Sequence, residues 1–318
     1  MRAVVQNAYG SSSVLKVAEL ELPAAASHDV LVRVHDASLH AGDHLVMRGS
    51  PYIARFSAGW PRPHDHIVGL SAAGVVEEVG SAVTGLKTGD RVYGECRGSC
   101  AELALGTEET LVRIPDSLTF EQAAAFPTSA LAALHGLRDA AQVKPGTRVL
   151  IIGASGGVGT FEVQIAKAMG AHVTGVCSAA NVELVRSLGA DEVIDYTADD
   201  FADGKRTYDI ILDNVGNRTF ADLKRALTDD GVAIPNSGTV GLGRILGSFV
   251  SSVFVRQQGH MYTSEPNRAD LLALVELIES GAVHAVIDRV VTLEEVPEAL
   301  AQIEKGHTPG KVVVRIRQ

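Results

Sequence analysis

Between an apolar run, Thr147-Arg-Val-Leu-Ile-Ile152, and a segment with helical spacing of its apolar residues, 158–169, the chain reads Gly153-Ala-Ser-Gly-Gly-Val-Gly159. Glycines at such a junction permit a tight turn and let the backbone approach a pyrophosphate, whose charge then meets the unpaired N–H groups at the positive end of the helix. A glycine string alone says little. Strand, turn and helix in register point to a dinucleotide site, with a purely structural glycine turn as the alternative.

The context of this turn is a helix and strand alternation. Residues 172–177, 192–195, 209–213 and 231–234 read as further apolar strands, separated by helical stretches that include 181–188. Strands apolar along their whole length argue for a parallel sheet covered on both faces. The expected fold class is therefore α/β, a doubly wound parallel sheet of the Rossmann kind. Residues 1–117 look different: short β-rich runs at 1–6, 30–34, 74–79, 91–93 and 110–114 are broken by turn formers. The change falls at Ser117-Leu-Thr-Phe-Glu121, where a hydroxyl can cap a helix and a Glu follows within one turn. Beyond residue 260 come a helix over 268–280, the segment 283–291, a helix over 293–304 and a last strand, Lys311-Val-Val-Val-Arg-Ile-Arg317. That strand needs β partners, and these lie mostly in the first 117 residues. The expected organisation is a β-rich domain (1–117 and 260–318) with a nucleotide domain (118–259) inserted in it.

Composition removes several classes of function. Of 318 residues 46% are apolar and 21% charged, which excludes a disordered or low-complexity chain. The net charge of −10, without a run of Lys or Arg, gives a phosphate backbone nothing to hold, so nucleic acid is not an expected partner. Three cysteines make no disulfide framework, and the first residues read as a strand, so the cytosol is the expected location. The apolar stretch Ile245-Leu-Gly-Ser-Phe-Val-Ser-Ser-Val-Phe-Val255 is shorter than the roughly 20 residues of a membrane span. It reads as a buried helix or an oligomer contact, or else as a substrate lid or a membrane-touching flap.

About 20 residues after the glycine turn, an NAD site would carry an acid for the ribose 2′-hydroxyl. Here the strand ends Val176-Cys-Ser178-Ala-Ala-Asn181. An acid would repel a 2′-phosphate, whereas Ser178 can hydrogen-bond one, so NADP(H) is the expected cofactor, although neither Ala179 nor Ala180 supplies a cation.

These motifs, together with Gly74-Val-Val-Glu-Glu-Val-Gly80, Gly89-Asp-Arg-Val-Tyr-Gly94, Ala123-Ala-Ala-Phe-Pro-Thr-Ser129, Leu188-Gly-Ala-Asp191, Asp213-Asn-Val-Gly216 and Gly306-His-Thr-Pro-Gly-Lys311, resemble the medium-chain dehydrogenase/reductase superfamily. The resemblance is to its zinc-independent quinone oxidoreductase branch and spans nearly the whole chain. It implies a GroES-like first domain around the Rossmann insertion, an active site in the cleft, and a homodimer. It implies cofactor contacts at Ser155, Gly156, Gly157 and Val158, at Ser178 and Tyr196 near the adenosine phosphate, at Thr128 and Asn214 near the nicotinamide, and at the turn His307-Thr308-Pro309. For Tyr196, a ring filling the sheet edge is an equal account.

Zinc members of the superfamily use an early Cys, a Gly-His-Glu motif and a four-cysteine lobe. The corresponding places read Ser38-Leu39-His40 and Gly69-Leu70-Ser71, and three cysteines cannot build a Cys₄ site, so no metal is expected. His64-Asp-His66 with Asp43 could hold an ion, but a solvated loop accounts for it better, and Cys96-x₃-Cys100 reads as ordinary strand and turn chemistry. Without a Lewis acid the site has to polarise its acceptor by hydrogen bonds, which suits quinones and α,β-unsaturated carbonyls, where developing charge spreads to oxygen. Where relatives carry Asn-Pro-x-Asp, this chain has His40-Ala41-Gly42-Asp43. His40 is then a donor to the substrate oxygen or a pocket wall, Asp43 is retained, and Tyr52 is a candidate proton donor or a packed aromatic. Two other readings stay open: an NADPH-binding redox sensor or scaffold with little turnover, and a zinc-free alcohol dehydrogenase.

Overall fold

A computed structural model describes residues 1–50, 52, 55–64, 66–236, 258–259 and 264–317, of which 57, 58, 258 and 259 are described by backbone alone. The apolar stretch 245–255 lies outside the described residues.

Along the chain, β1 (Arg2–Gln6) and β2 (Leu15–Glu19) form an antiparallel hairpin, and β3 (Asp29–Leu39) runs directly into α1 (Ala41–Arg48). Then come α2 (Arg55–Ala58), β4 (Ser71–Val79), β5 (Arg91–Glu95), β6 (Leu103–Thr107), β7 (Leu111–Arg113), α3 (Phe120–Ala124) and α4 (Pro127–His135). The alternation continues through β8 (Arg148–Ile152), α5 (Gly159–Ala168), β9 (His172–Cys177), α6 (Val182–Ser187), β10 (Glu192–Asp195), β11 (Tyr208–Asp213), α7 (Phe220–Arg225), β12 (Leu227–Pro235) and β13 (Gln258–Gly259). The last elements are α8 (Arg268–Glu279), β14 (Ile287–Val291), α9 (Val296–Lys305) and β15 (Lys311–Arg315).

The chain divides into two units, one of Met1–Leu131, Glu265–Ser280 and Ala285–Gln318, the other of Ala132–Ser264 and Gly281–His284. Residues 118–131, read from sequence with the nucleotide domain, fall in the first unit because α3 lies against β3, β4 and β5. Its cap is Thr119 with Gln122, rather than a pairing with Glu121: the Thr119 side chain accepts from the Gln122 N–H, and Gln122 Oε1 accepts from the Thr119 N–H.

In the first unit a seven-stranded sheet has the order β14-β15-β3-β4-β5-β7, with β6 also on β3. The final strand β15 pairs antiparallel with β3, Val312 opposite Leu39, which ties the C-terminal tail to the β-rich first part of the chain. Val30, Val32, Val34, Val76, Val92, Leu111 and Val312 fill its core, the alternate β3 valines pointing inward as a half-buried strand requires. In the second unit β8, β9, β10, β11, β12 and β13 are parallel, in the order β10-β9-β8-β11-β12-β13. Leu150, Ile152, Val176, Ile194, Ile211 and Leu223 pack on one face. Both faces are covered, hence the continuous apolar strands.

Candidate active site

In the second unit the strand order reverses between β8 and β11, and ligands of open α/β sheets bind outside the carboxyl ends of the strands at such a reversal. The glycine turn stands there. Gly153 has φ of 79°, and a Cβ on Gly159 would overlap Gly153 O and lie 2.8 Å from Ala154 Cα, so α5 sits as close to β8 as backbones allow. Ser155, Gly156, Gly157 and Val158 are partly exposed above it, while Gly159–Ala166 of the helix is buried. A Cβ on Gly156 would meet only Gly153 O at 3.3 Å, leaving that side of the turn open to an approaching phosphate.

Ser178 follows β9 and shares Asn181 with the turn: Asn181 Nδ2 donates to Ser155 Oγ at 3.2 Å and to Ser178 Oγ at 3.4 Å. Both hydroxyl oxygens act as acceptors, so both O–H groups stay available to an anion. Tyr196, just past β10, is half-exposed, and its backbone N–H bonds Cys177 O beside Ser178. Asn214, just past β11, donates to Ile152 O at 3.2 Å and to Glu162 Oε2 at 2.6 Å, and its oxygen accepts from Asn236 Nδ2 at 2.9 Å. The residues expected around the cofactor phosphates are thus gathered at the sheet's carboxyl edge.

In the first unit, β3 delivers His40 as the cap of α1. Its Nδ1 accepts from the Gly42 N–H at 3.0 Å, and Asp43 Oδ2 accepts from the His40 backbone N–H at 2.8 Å. With Nδ1 accepting, the neutral ring carries its proton on Nε2, an assignment that rests on this bonding pattern. The side chain is 13% exposed, and Nε2 itself is buried without a hydrogen-bond partner among the described residues, Asp43 Oδ1 standing 3.4 Å away. Burial lowers the His40 pKa, against the opposing pull of Asp43, so the ring is neutral at pH 7.

The same unit holds a charged residue that the sequence places only at the end of a motif and the start of the last strand. Lys311, the first residue of β15, is buried, and its ammonium donates to Leu39 O at 3.0 Å and Ser129 Oγ at 2.8 Å. Burial brings it down to about 8, Asp43 resisting. Its place is decided by β15 pairing with β3, a contact 272 residues apart in the chain. Between pH 8 and the ordinary lysine range the unfolded chain binds the extra proton, so stability rises with pH there, by up to about 3 kcal/mol. Urea unfolding from about pH 7.5 to 10.5 should show this rise in the parent protein and lose it in Lys311→Met. An unchanged slope would mean that Lys311 titrates normally.

Thr128 is held by Ser71 (2.8 Å between hydroxyls) and donates to Glu95 Oε1 at 2.8 Å. In sequence Ser71 stands only as the end of Gly69-Leu70-Ser71 and Glu95 carries no signal; the β4 and β5 pairing, Ser71 opposite Glu95, brings both to Thr128. Tyr52 is 72% exposed with the Arg55 guanidinium 4.3 Å from its ring centre, so it stands on the surface rather than in a pocket. His307, at φ of 70°, is exposed in the turn between α9 and β15, with Thr308 and Pro309 half-buried.

Among the described residues, no three His, Cys, Asp or Glu side chains converge on a point where an ion could sit. His64 and His66 are exposed, and Asp65 lies outside the described residues. Cys96, Cys100 and Cys177 are buried free thiols, their pKa values raised by burial. The described residues thus offer no set of zinc ligands. Nor is any helix among the described residues long and apolar enough to cross a membrane.

Comparison with known proteins agrees with this geometry. Residues 26–136 match the alcohol dehydrogenase GroES-like domain, and residues 188–314 match the family described as zinc-binding dehydrogenase. A chloroplast envelope quinone oxidoreductase homolog of Arabidopsis thaliana is 33% identical, over 99% of this chain and 98% of its own. The mitochondrial NAD(P)H oxidoreductase RTN4IP1 of Mus musculus is also 33% identical, over 99% and 89%. The solved quinone oxidoreductase from Coxiella burnetii superposes with a TM-score of 0.88 at 29% identity, covering 100% of this chain and 99% of that one. The chain belongs to the medium-chain dehydrogenase/reductase superfamily, on its quinone oxidoreductase branch.

Proposed function

We propose that the protein is an NADPH-dependent oxidoreductase that reduces quinones or α,β-unsaturated carbonyls by hydride transfer, without a metal. The observation that carries this reading is the glycine turn at the strand-order reversal, with Ser178 where an NAD site would hold an acid. The relatives named as quinone and NAD(P)H oxidoreductases support it.

When bound, the reduced nicotinamide supplies hydride. The chain's part is to bind, orient and polarise. Ser155 and Ser178, their oxygens occupied by Asn181, direct O–H groups to the phosphates, and the Gly156–Gly157 backbone lets the pyrophosphate approach. His40 Nε2–H, its ring fixed by the α1 cap and its hydrogen without an acceptor among the described residues, is the donor to the oxygen that gains charge. Asp43 fixes the His40 backbone by accepting from its N–H. Contacts from Thr128, Tyr196 and the turn His307-Thr308-Pro309 complete the proposed cofactor site, and with Tyr52 on the surface, protonation is completed by water. A homodimer belongs to the same reading. So does a cytosolic location, since three buried free thiols suit a reducing compartment.

The test follows oxidation of NADPH and NADH by quinone and enone panels with chelator present. Chelator-insensitive loss of NADPH supports the reading; tight NADPH binding with no turnover on either panel would replace it by a cofactor sensor. Ser178→Asp sets a carboxylate against the 2′-phosphate and should move the kcat/KM ratio of NADPH to NADH by at least tenfold toward NADH, about 1.4 kcal/mol. An unmoved ratio would show that the 2′-phosphate binds elsewhere.

A further inference from the structure

Resting on the NADP(H) reading above, we infer that Glu162 sets the charge of the nicotinamide half of the cofactor site, so that its ionised carboxylate favours the oxidised, cationic cofactor and its acid form favours NADPH.

The placement follows from topology. Ser178 and the ribose-reading position lie at the end of β9, so the adenosine half of a dinucleotide belongs to the β8-β9-β10 side of the reversal. The other mononucleotide half then belongs to the carboxyl ends of β11 and β12, which carry Asn214 and Asn236. Both amides turn inward to one side chain: Glu162, fully buried in the first turn of α5, accepts from Asn214 Nδ2 at 2.6 Å and from Asn236 Nδ2 at 3.3 Å. Asn214 spends both amide hydrogens, on Glu162 and Ile152 O, so it meets a ligand with its oxygen or not at all.

No cation pairs with Glu162 among the described residues. The other charged group facing it is Asp213 at the end of β11, itself anchored by the N–H groups of Val215 (3.1 Å) and Gly216 (2.8 Å). Burial raises Glu162 to about 7; the two amides pull it back and Asp213 pushes it further up. A carboxyl group with two neutral partners and one like-charged neighbour lacks a counter-ion, and the oxidised nicotinamide ring carries the missing positive charge. A unit charge close to such a ring shifts the equilibrium by about tenfold or more.

Dissociation constants of NADP⁺ and NADPH, measured by calorimetry from about pH 6 to 8.5, give the test without turnover. Titration of the 2′-phosphate is common to both forms and cancels in their ratio. The affinity for NADP⁺ relative to NADPH should rise about tenfold across this range in the parent protein and stay level in Glu162→Gln, which mimics the protonated acid. Infrared titration of the ligand-free protein should show a carboxyl band that disappears around neutral pH and is missing in the variant. A level ratio in the parent, with both forms bound, overturns the inference while leaving the cofactor reading intact. A rise that persists in Glu162→Gln also overturns it. Failure of the parent to bind either form overturns both readings. If the variant does not fold, the parent's ratio and its infrared band still decide.

Discussion

Replacing His40 by leucine should lower kcat on the best quinone or enone about a hundredfold, the usual effect of deleting one donor to a developing oxyanion. NADPH affinity should stay within about threefold, because His40 is assigned to the acceptor and not to the cofactor. The variant also loses the α1 cap, for about 1 kcal/mol of stability, read as a small fall in Tm. His40→Asn separates the two roles: asparagine caps well and carries an N–H donor, so both kcat and Tm should recover in large part. The pH profile adds an independent check. Burial holds the imidazole neutral below its ordinary range, so the rate should stay level as pH falls through about 6.5 and decline only where the ring charges. A leucine variant as fast as the parent would remove His40 from the reaction and leave it a wall residue.

Gly159→Ala should strike fold and cofactor together. The new methyl would overlap Gly153 O and crowd Ala154 Cα, both backbone atoms in a turn that cannot yield without lifting α5 off β8. Overpacking of this kind costs about 1–3 kcal/mol, which for a domain this size lowers Tm by several degrees, on the order of 5 °C. The displaced helix N-terminus should weaken NADPH binding more than tenfold. Gly156→Ala is the informative partner. Its methyl meets only Gly153 O at 3.3 Å, so Tm should hardly move while NADPH affinity falls, the methyl now standing where the pyrophosphate approaches. Equal affinity in both variants and the parent would take the pyrophosphate away from this turn.

Much of the fold was legible because it rests on local signals. The strands at 172–177 and 192–195 match the sequence reading at their full lengths, since Val173, Thr174 and Val176 in one and Val193 and Ile194 in the other are β-branched and stand between turn formers. Boundaries that depend on side-chain reach were less so. The helix expected over 293–304 begins as a 3₁₀ turn at Leu293–Glu295 before α9, and of 283–291 only Ile287–Val291 is strand.

The chain alone determined the glycine turn, the missing acid after β9 and the absence of a zinc ligand pattern, because each depends on residue types at short spacing. Tertiary structure decided what no spacing records. Lys311 meets Leu39 O and Ser129 only through β15 and β3 pairing, and Thr128 meets Ser71 and Glu95 only through β4 and β5. Glu162 reads in sequence as one more polar residue of a helix. Its role comes from Asn214 and Asn236, which arrive from two later strands, 52 and 74 residues on, and close over a carboxyl group from which water is excluded. Such side chains acquire their chemistry from burial and from distant partners, and both are properties of the folded chain.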